Sequence, residues 1–276
     1  MCRALDVSES GYYAWKERPA SEHEREDARI AAEIQQVFQE YRQVYGSPRI
    51  HAILKSRGIS CGRKRVVRLM QVLGISALPK KTRKPQTTKS DPRARFAPNL
   101  LNRDFTSSAP NTKWVTDCTM ISTAEGWLYL AVVLDLYSRK VVGWAMGATE
   151  DEELVTLALR MALARLRPQS DCFHLLHHSD RGSEYTSLGY QECLKQEGIE
   201  VSMSRTGDCY DNAAMESFFA TLKKECVHRH KFQNRREARS TVFEYLECFY
   251  NPVRLHSTLG YTSPRTFEEA ADQEMS

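Results

Sequence analysis

An aspartate stands in the middle of an apolar, β-branched stretch, WVTDCTMI at 114–121, where Asp117 interrupts Trp114, Val115 and Ile121. A second apolar run, 127–136, follows after a short break, so the two segments read as neighbouring strands. A charge in such a sheet is costly unless something pairs with it. The fold must therefore bring a partner to Asp117.

Two further acids have contexts that let them meet it. The strand-like run FHLLHHSD, 173–180, ends on Asp180, and Gly182 then lets the chain turn. Asp180 thus falls at the C-terminal end of a strand, where ligand sites gather in α/β sheets. Glu216, in DNAAMESFF, falls on a predicted helix started by Asp211 or Asp208 as cap, with Met215, Phe218, Phe219 and Leu222 as its apolar stripe. Lys223 follows seven residues later, nearly two turns at about 3.6 residues per turn, and projects the same way.

Three such acids suit metal-dependent chemistry on phosphodiesters. Attacking and leaving oxygens both need a positive charge beside them, and two Mg²⁺ ions about 3.5–4 Å apart supply it. Magnesium is usually held by one or two carboxylates plus substrate phosphate, so a few acids suffice, and a lysine beside them meets a phosphate. On spacing alone, structural or solvated acids and a solvated lysine explain the same residues equally well. Asp135, Glu184 and Glu225 are neighbouring acids, of which Glu184 and Asp135 are the first substitutes should one assignment fail.

Charge is distributed unevenly. Residues 41–100 hold 15 of the 39 Lys and Arg but only one acid, Asp91, a local net charge of +14 in a chain of +4, which leaves −10 elsewhere. Such a region is built for a polyanion, bound through counterion release and weakened by salt. Within it, 48–57 reads as a helix with Ile50, Ile53 and Leu54 inward, RGIS as a turn, and 62–73 as a second helix with Val66, Val67, Leu69, Met70 and Leu73 inward. Arg63, Lys64, Arg65 and Arg68 then occupy the early, outward part of a recognition helix. A helical hairpin with a solvated basic face is the bland alternative.

The chain divides on these grounds into an N-terminal helical segment (1–45), with a helical stripe through Ile30, Ile34, Val37, Phe38 and Tyr41; a helix-turn-helix-like DNA-binding domain (46–79); a basic linker (80–108); and a catalytic core with a C-terminal helical extension (109–270). With 276 residues and 41% hydrophobic content, it can bury a large core and a smaller one. No apolar stretch approaches the roughly 20 residues of a membrane span, and no secretory signal is recognisable near Cys2. The 8 cysteines are scattered without a CxxC pair, as in a reduced cytosolic protein. His174, His177, His228, His230 and Cys226 make no paired zinc framework. His178 orients a water or the acid, or packs at a strand end; Arg254 and His256 contact DNA or brace the core.

From 114 to 264 the strings WVTDCTMI, YLAVVLDLYSRKVVGW, HSDRGSEYTS, DNAAMESFFATLKKE and YNPVRLHSTLGYTSP resemble, in order, the catalytic part of bacterial insertion-sequence transposases that share the retroviral-integrase core, of the second-frame (OrfB-type) kind. The resemblance implies an α/β fold: a ribonuclease-H-like core, with a mixed five-stranded sheet flanked by helices, preceded by a small all-helical helix-turn-helix-like domain. It carries a DDE triad onto Asp117, Asp180 and Glu216 as catalytic residues and ligands of two Mg²⁺ ions, with Mn²⁺ as a substitute, and puts Lys223 at the family's helix lysine. Two departures stand out: Cys118 and Met120 replace bulkier or β-branched residues, and Glu184 stands where glutamine is usual.

The implied function is DNA 3′-end cleavage and strand transfer of an insertion element, on element ends and target DNA, by a homo-oligomer in the nucleoid-associated cytoplasm, without a membrane. Family members often join an upstream-frame segment carrying another helix-turn-helix and a coiled coil, so an upstream-frame partner protein is expected. The alternatives are a DNA-binding regulator or partner-dependent subunit without autonomous activity, and a metal-dependent nuclease of the same fold.

Overall fold

The computed structural model describes residues 7–77, 96–166, 174–205 and 209–274, and separates into two units, Met1–Leu78 and Pro79–Ser276. The first is all helical. Helix α1 (Glu9–Lys16) starts at Ser8, whose Oγ accepts from the Gly11 N–H at 3.0 Å, and buries none of its residues. Helix α2 (Glu22–Glu40) opens with a capping box, Ser21 and Glu24 each satisfying the other's backbone N–H. Its Ile30, Ile34 and Val37 recur at spacings of four and three and are fully buried.

Helices α3 (Ser47–Ser56) and α4 (Arg63–Val72) pack on α2 and on each other. Pro48 sits in the first turn of α3, where its missing N–H costs nothing, and His51 Nε2 lies 2.9 Å from the Cys61 carbonyl oxygen, closing the turn between the helices. Ile50, Ile53, Leu54, Val66, Leu69 and Met70 face inward as expected. Val67, also expected inward, is 37% exposed: α4 buries only the stripe 66, 69, 70, and position 67 lies about 100° round the helix from it. Leu73, past the helix end, is half-buried.

The second unit is built on a five-stranded mixed sheet in the order β3-β2-β1-β4-β5. Strands β1 (Lys113–Thr123), β2 (Gly126–Asp135) and β3 (Val141–Gly147) form an antiparallel meander, while β4 (Leu176–Ser179) lies parallel to β1 and β5 (Glu200–Met203) parallel to β4. Helix α5 (Glu152–Ala164) covers β3 and β2, started by Asp151, whose Oδ1 accepts from the Leu154 N–H at 3.0 Å. Its approach requires Gly143: a Cβ there would overlap the Ala158 carbonyl and Ala162. Trp114, Val133, Val155, Leu159, Tyr185, Tyr190 and Leu194 are among the buried residues of this core.

The single-turn helix α6 (Ser183–Thr186) and α7 (Leu188–Gln196) connect β4 to β5, and α8 (Ala213–Glu225), α9 (Arg235–Phe243) and α10 (Pro264–Glu274) complete the unit. Beyond α9 the helix widens into π-helical turns over Glu244–Tyr250. Of the expected linker 80–108, residues 80–95 lie outside the described residues. Residues 96–105 belong to the second unit: Leu101 is buried, and the Leu100 and Leu101 N–H groups donate to Ser202 Oγ at 2.9 and 3.2 Å. Among the described residues no helix is long and apolar enough to cross a membrane.

Candidate active site

Strand register brings the first two acids together. Lys113, Trp114 and Val115 of β1 stand opposite Leu176, His177 and His178 of β4; Asp117 lies two residues further along β1 and Asp180 just past the end of β4, near enough for Asp180 to act on the Asp117 carboxyl. Asp117 accepts from the Cys118 N–H at 2.8 Å, and Asp180 from the Gly182 N–H at 2.9 Å. Burial raises the Asp117 carboxyl well above the usual range, and Asp180, then Glu184 and Glu150, raise it further. Glu184 is pushed up to about 7, first by burial and also by Asp180 and Glu150. Glu150, exposed in the connection from β3 to α5, is raised by desolvation and by Asp180. Asp180, Glu184 and Glu150 thus all act on the Asp117 carboxyl near the C-terminal end of β4.

Helix α8 is tied to the same strand. Asn212, at its N-terminal cap and 6% exposed, donates from Nδ2 to the Thr116 carbonyl oxygen at 3.1 Å, one residue before Asp117. Glu216 follows by four residues and is exposed, while Met215, Phe218, Phe219 and Leu222 are buried as the expected stripe. Lys223 is half-buried.

Neighbouring acids and histidines have structural work instead. Asp135, at the end of β2, is fully buried and accepts from the Asn111 N–H, the Ser138 N–H and Ser138 Oγ at 2.9–3.0 Å; burial still pushes its carboxyl up to about 6. Glu225 is clamped by Arg254 and Tyr245. Asp211, expected as a possible cap for α8, instead accepts from Arg205, Arg103 and Asn99, and the Arg205 guanidinium foremost holds it below the usual carboxylate range. Asp208 lies outside the described residues. His178 bridges Ser202 Oγ (2.8 Å) and Ser204 Oγ (3.1 Å), and burial lowers it to about 4, so it is a neutral strand-end brace. Glu150 and Asn212 escaped the sequence reading: Glu150 sits in an acidic run that looks like helix-start decoration, and nothing local marks Asn212 as a link to β1.

In the helical unit, Arg63 and Lys64 are exposed at the start of α4. Arg65 is half-buried in ion pairs with Glu26 (2.6 Å) and Asp27 (2.7 Å) of α2, and Arg68 pairs with Asp27 at 2.6 Å. The basic face is thus partly neutralised by its own scaffold.

A five-stranded mixed sheet flanked by helices, in the order β3-β2-β1-β4-β5, is the arrangement of a ribonuclease-H-like core of the integrase type. Comparison with known proteins agrees: two models described as "Integrase core domain" match residues 107–209 and 197–264, and one described as "HTH-like domain" matches 24–83. The chain is 41% identical over 271 residues to the transposase InsF for insertion sequence IS3A of Escherichia coli (strain K12), covering 97% of this chain and 92% of that one. It is 44% identical over 273 residues to an uncharacterised 31 kDa protein of insertion element IS600 from Shigella sonnei, covering 99% of each. The chain belongs to the insertion-sequence transposases with an integrase core, the family of those IS3 proteins. Among solved structures, a chain of the simian T-cell lymphotropic virus intasome in complex with PP2A regulatory subunit B56 gamma aligns with TM-score 0.49 at 16% identity, covering 81% of this chain and 74% of that one.

Proposed function

We propose that this chain carries out metal-dependent cleavage at DNA 3′ ends and strand transfer of an insertion element, with Asp117, Asp180 and Glu216 as the acid triad. The observation that carries the reading is the Asp117 carboxyl, buried on β1 and raised by burial and by Asp180, which stands just past the end of the parallel strand β4. The donors are hard oxygens crowded with like charge, which fits a divalent cation of the magnesium kind. When bound, two Mg²⁺ ions, or Mn²⁺ in their place, put positive charge beside the attacking and leaving oxygens.

Asp117 and Asp180 hold this charge at the sheet edge. Glu216, just over one helical turn past Asn212 and therefore on the same side of α8, supplies the third carboxylate. Lys223, nearly two turns further, meets a DNA phosphate as a compact cation. Aligning two element ends with target DNA favours a homo-oligomer on DNA, and an upstream-frame product is a candidate partner. The site of action is then the nucleoid.

The test is strand joining on plasmid DNA bearing the gene's native flanking ends, with Mg²⁺, comparing wild type with Glu216→Gln. Joined products in wild type, at least about 10²-fold fewer in the variant, are expected, since several kcal/mol of charge stabilisation depend on the metal cage. Cut fragments without joints would make the chain a nuclease; binding without cutting would make it a regulator or a partner-dependent subunit. Either result overturns the reading.

DNA recognition is assigned to α4 with Arg63, Lys64, Arg65 and Arg68. Arg63 and Lys64 are exposed and reach phosphate directly, whereas Arg65 and Arg68 are oriented by Glu26 and Asp27. Replacing Arg63 and Lys64 together by alanine is expected to weaken binding to all sequences and to lower the slope of log affinity against log salt by roughly two, about one per phosphate contact. Fluorescence anisotropy across a salt series measures it; an unchanged slope would place the DNA elsewhere.

A further inference from the structure

Cys118 and Glu184 lie far apart in the chain and come together in space. Cys118 Sγ and one carboxylate oxygen from each of Glu184 and Glu150 lie within 4.8 Å of one another, among residues delivered by β1, α6 and the connection from β3 to α5. Together they offer one sulfur and two carboxylate oxygens at one place.

Two separate features hold the donors there. The Glu184 carboxylate folds back over Gly182, where a Cβ would meet its oxygens and displace the side chain. Cys118 Sγ lies 3.5 Å from the hydroxyl of Tyr185, which is fully buried and itself 3.4 Å from Thr116 Oγ1.

We propose that Cys118, Glu150 and Glu184 form a second cation site, selective for a thiophilic divalent ion of the zinc class, beside the Asp117–Asp180 pair. A soft thiolate favours Zn²⁺, Cd²⁺ or Co²⁺ over Mg²⁺. Zinc bonds of about 2.3 Å to sulfur and 2.0–2.2 Å to oxygen require the donors to close by about 1 Å around the ion, with water as fourth ligand. Binding forms a metal–sulfur bond and breaks the S–H bond, the proton passing to solvent.

The test uses the full chain and needs no DNA, so its failure leaves the strand-transfer reading untouched. Titration with Co²⁺ is expected to give the near-ultraviolet thiolate-to-cobalt absorption in wild type, displaced by Zn²⁺ and not by excess Mg²⁺, and lost in Cys118→Ser. Zn²⁺ is further expected to protect Cys118 from iodoacetamide, read by peptide mass spectrometry. Glu184→Gln should weaken Zn²⁺ binding by at least about tenfold, the order lost when even an outer partner of a metal ligand is removed; far-ultraviolet circular dichroism checks that both variants fold. A cobalt band that persists in Cys118→Ser, no band at saturating cobalt in wild type, or unchanged alkylation of Cys118 with Zn²⁺ would overturn the site.

Discussion

Asp117→Asn is expected to reduce strand joining by about 10³-fold or more, to leave DNA binding intact, and to make the metal-free protein more stable. On the proposed triad, the loss follows from removing a charged ligand from a site where bound metal would supply several kcal/mol, each 1.36 kcal/mol being tenfold in rate. The gain follows from the raised carboxyl: burial and Asp180 disfavour its ionised form in the folded chain. A native group whose pKa lies above its unfolded value of about 3.9 binds more protons folded than unfolded, so its contribution to stability falls as pH rises through that window. His177 and His178, lowered by burial to about 3 and 4, act in the opposite direction over part of the same range. The informative quantity is therefore the Tm difference between Asp117→Asn and wild type in EDTA. It should grow as pH rises above the unfolded carboxyl value of about 3.9 and shrink or reverse with Mg²⁺, which binds the wild-type site more tightly. A variant less stable than wild type at every pH, without metal, would mean that Asp117 is held by favourable contacts and not under charge strain.

The acids were legible in the sequence because each occupies a place with a local signature. An acid inside an apolar strand, another at a strand end before glycine, and a third beside a helical stripe can be found by pattern, and their order along the chain is what supports the triad proposed for them. What brings Asp117 to Asp180 is the parallel pairing of β1 with β4, a contact between segments about 60 residues apart that no local period encodes. Glu150 was missed for that reason: its part in the carboxylate group depends on where the connection from β3 to α5 passes, not on its neighbours in the chain. Val67 shows the reverse error. It is apolar and on a helix, yet packing uses only one narrow face of α4, and the sequence pattern overstated the width of the stripe. Arg65 and Arg68 looked outward because they are charged, whereas α2 brings Glu26 and Asp27 against them from another helix.

Arg254→Ala is the substitution expected to cost most in stability. Arg254 and Glu225 have 4% and 5% of their side chains exposed, and two guanidinium nitrogens reach the two carboxylate oxygens at 2.7 Å, with the Tyr245 hydroxyl donating to one of them at 2.9 Å. Hydrogen bonds and charge from Glu225 outweigh burial and hold the guanidinium firmly in its charged form. Truncating the arginine strands the Glu225 carboxylate in the interior between α8 and the π-helical turns, a loss of about 3–5 kcal/mol. At roughly 2–4 °C per kcal/mol for a unit of this size, Tm should fall by roughly 6–20 °C. Removing both charges with volume kept, Glu225→Leu with Arg254→Met, should recover most of that loss, since a buried pair replaced by apolar groups is often neutral. Recovery in the double variant would identify the stranded carboxylate as the source of the damage and assign Arg254 to bracing the core. A single variant as stable as wild type, with weakened DNA binding, would instead assign Arg254 to the nucleic acid.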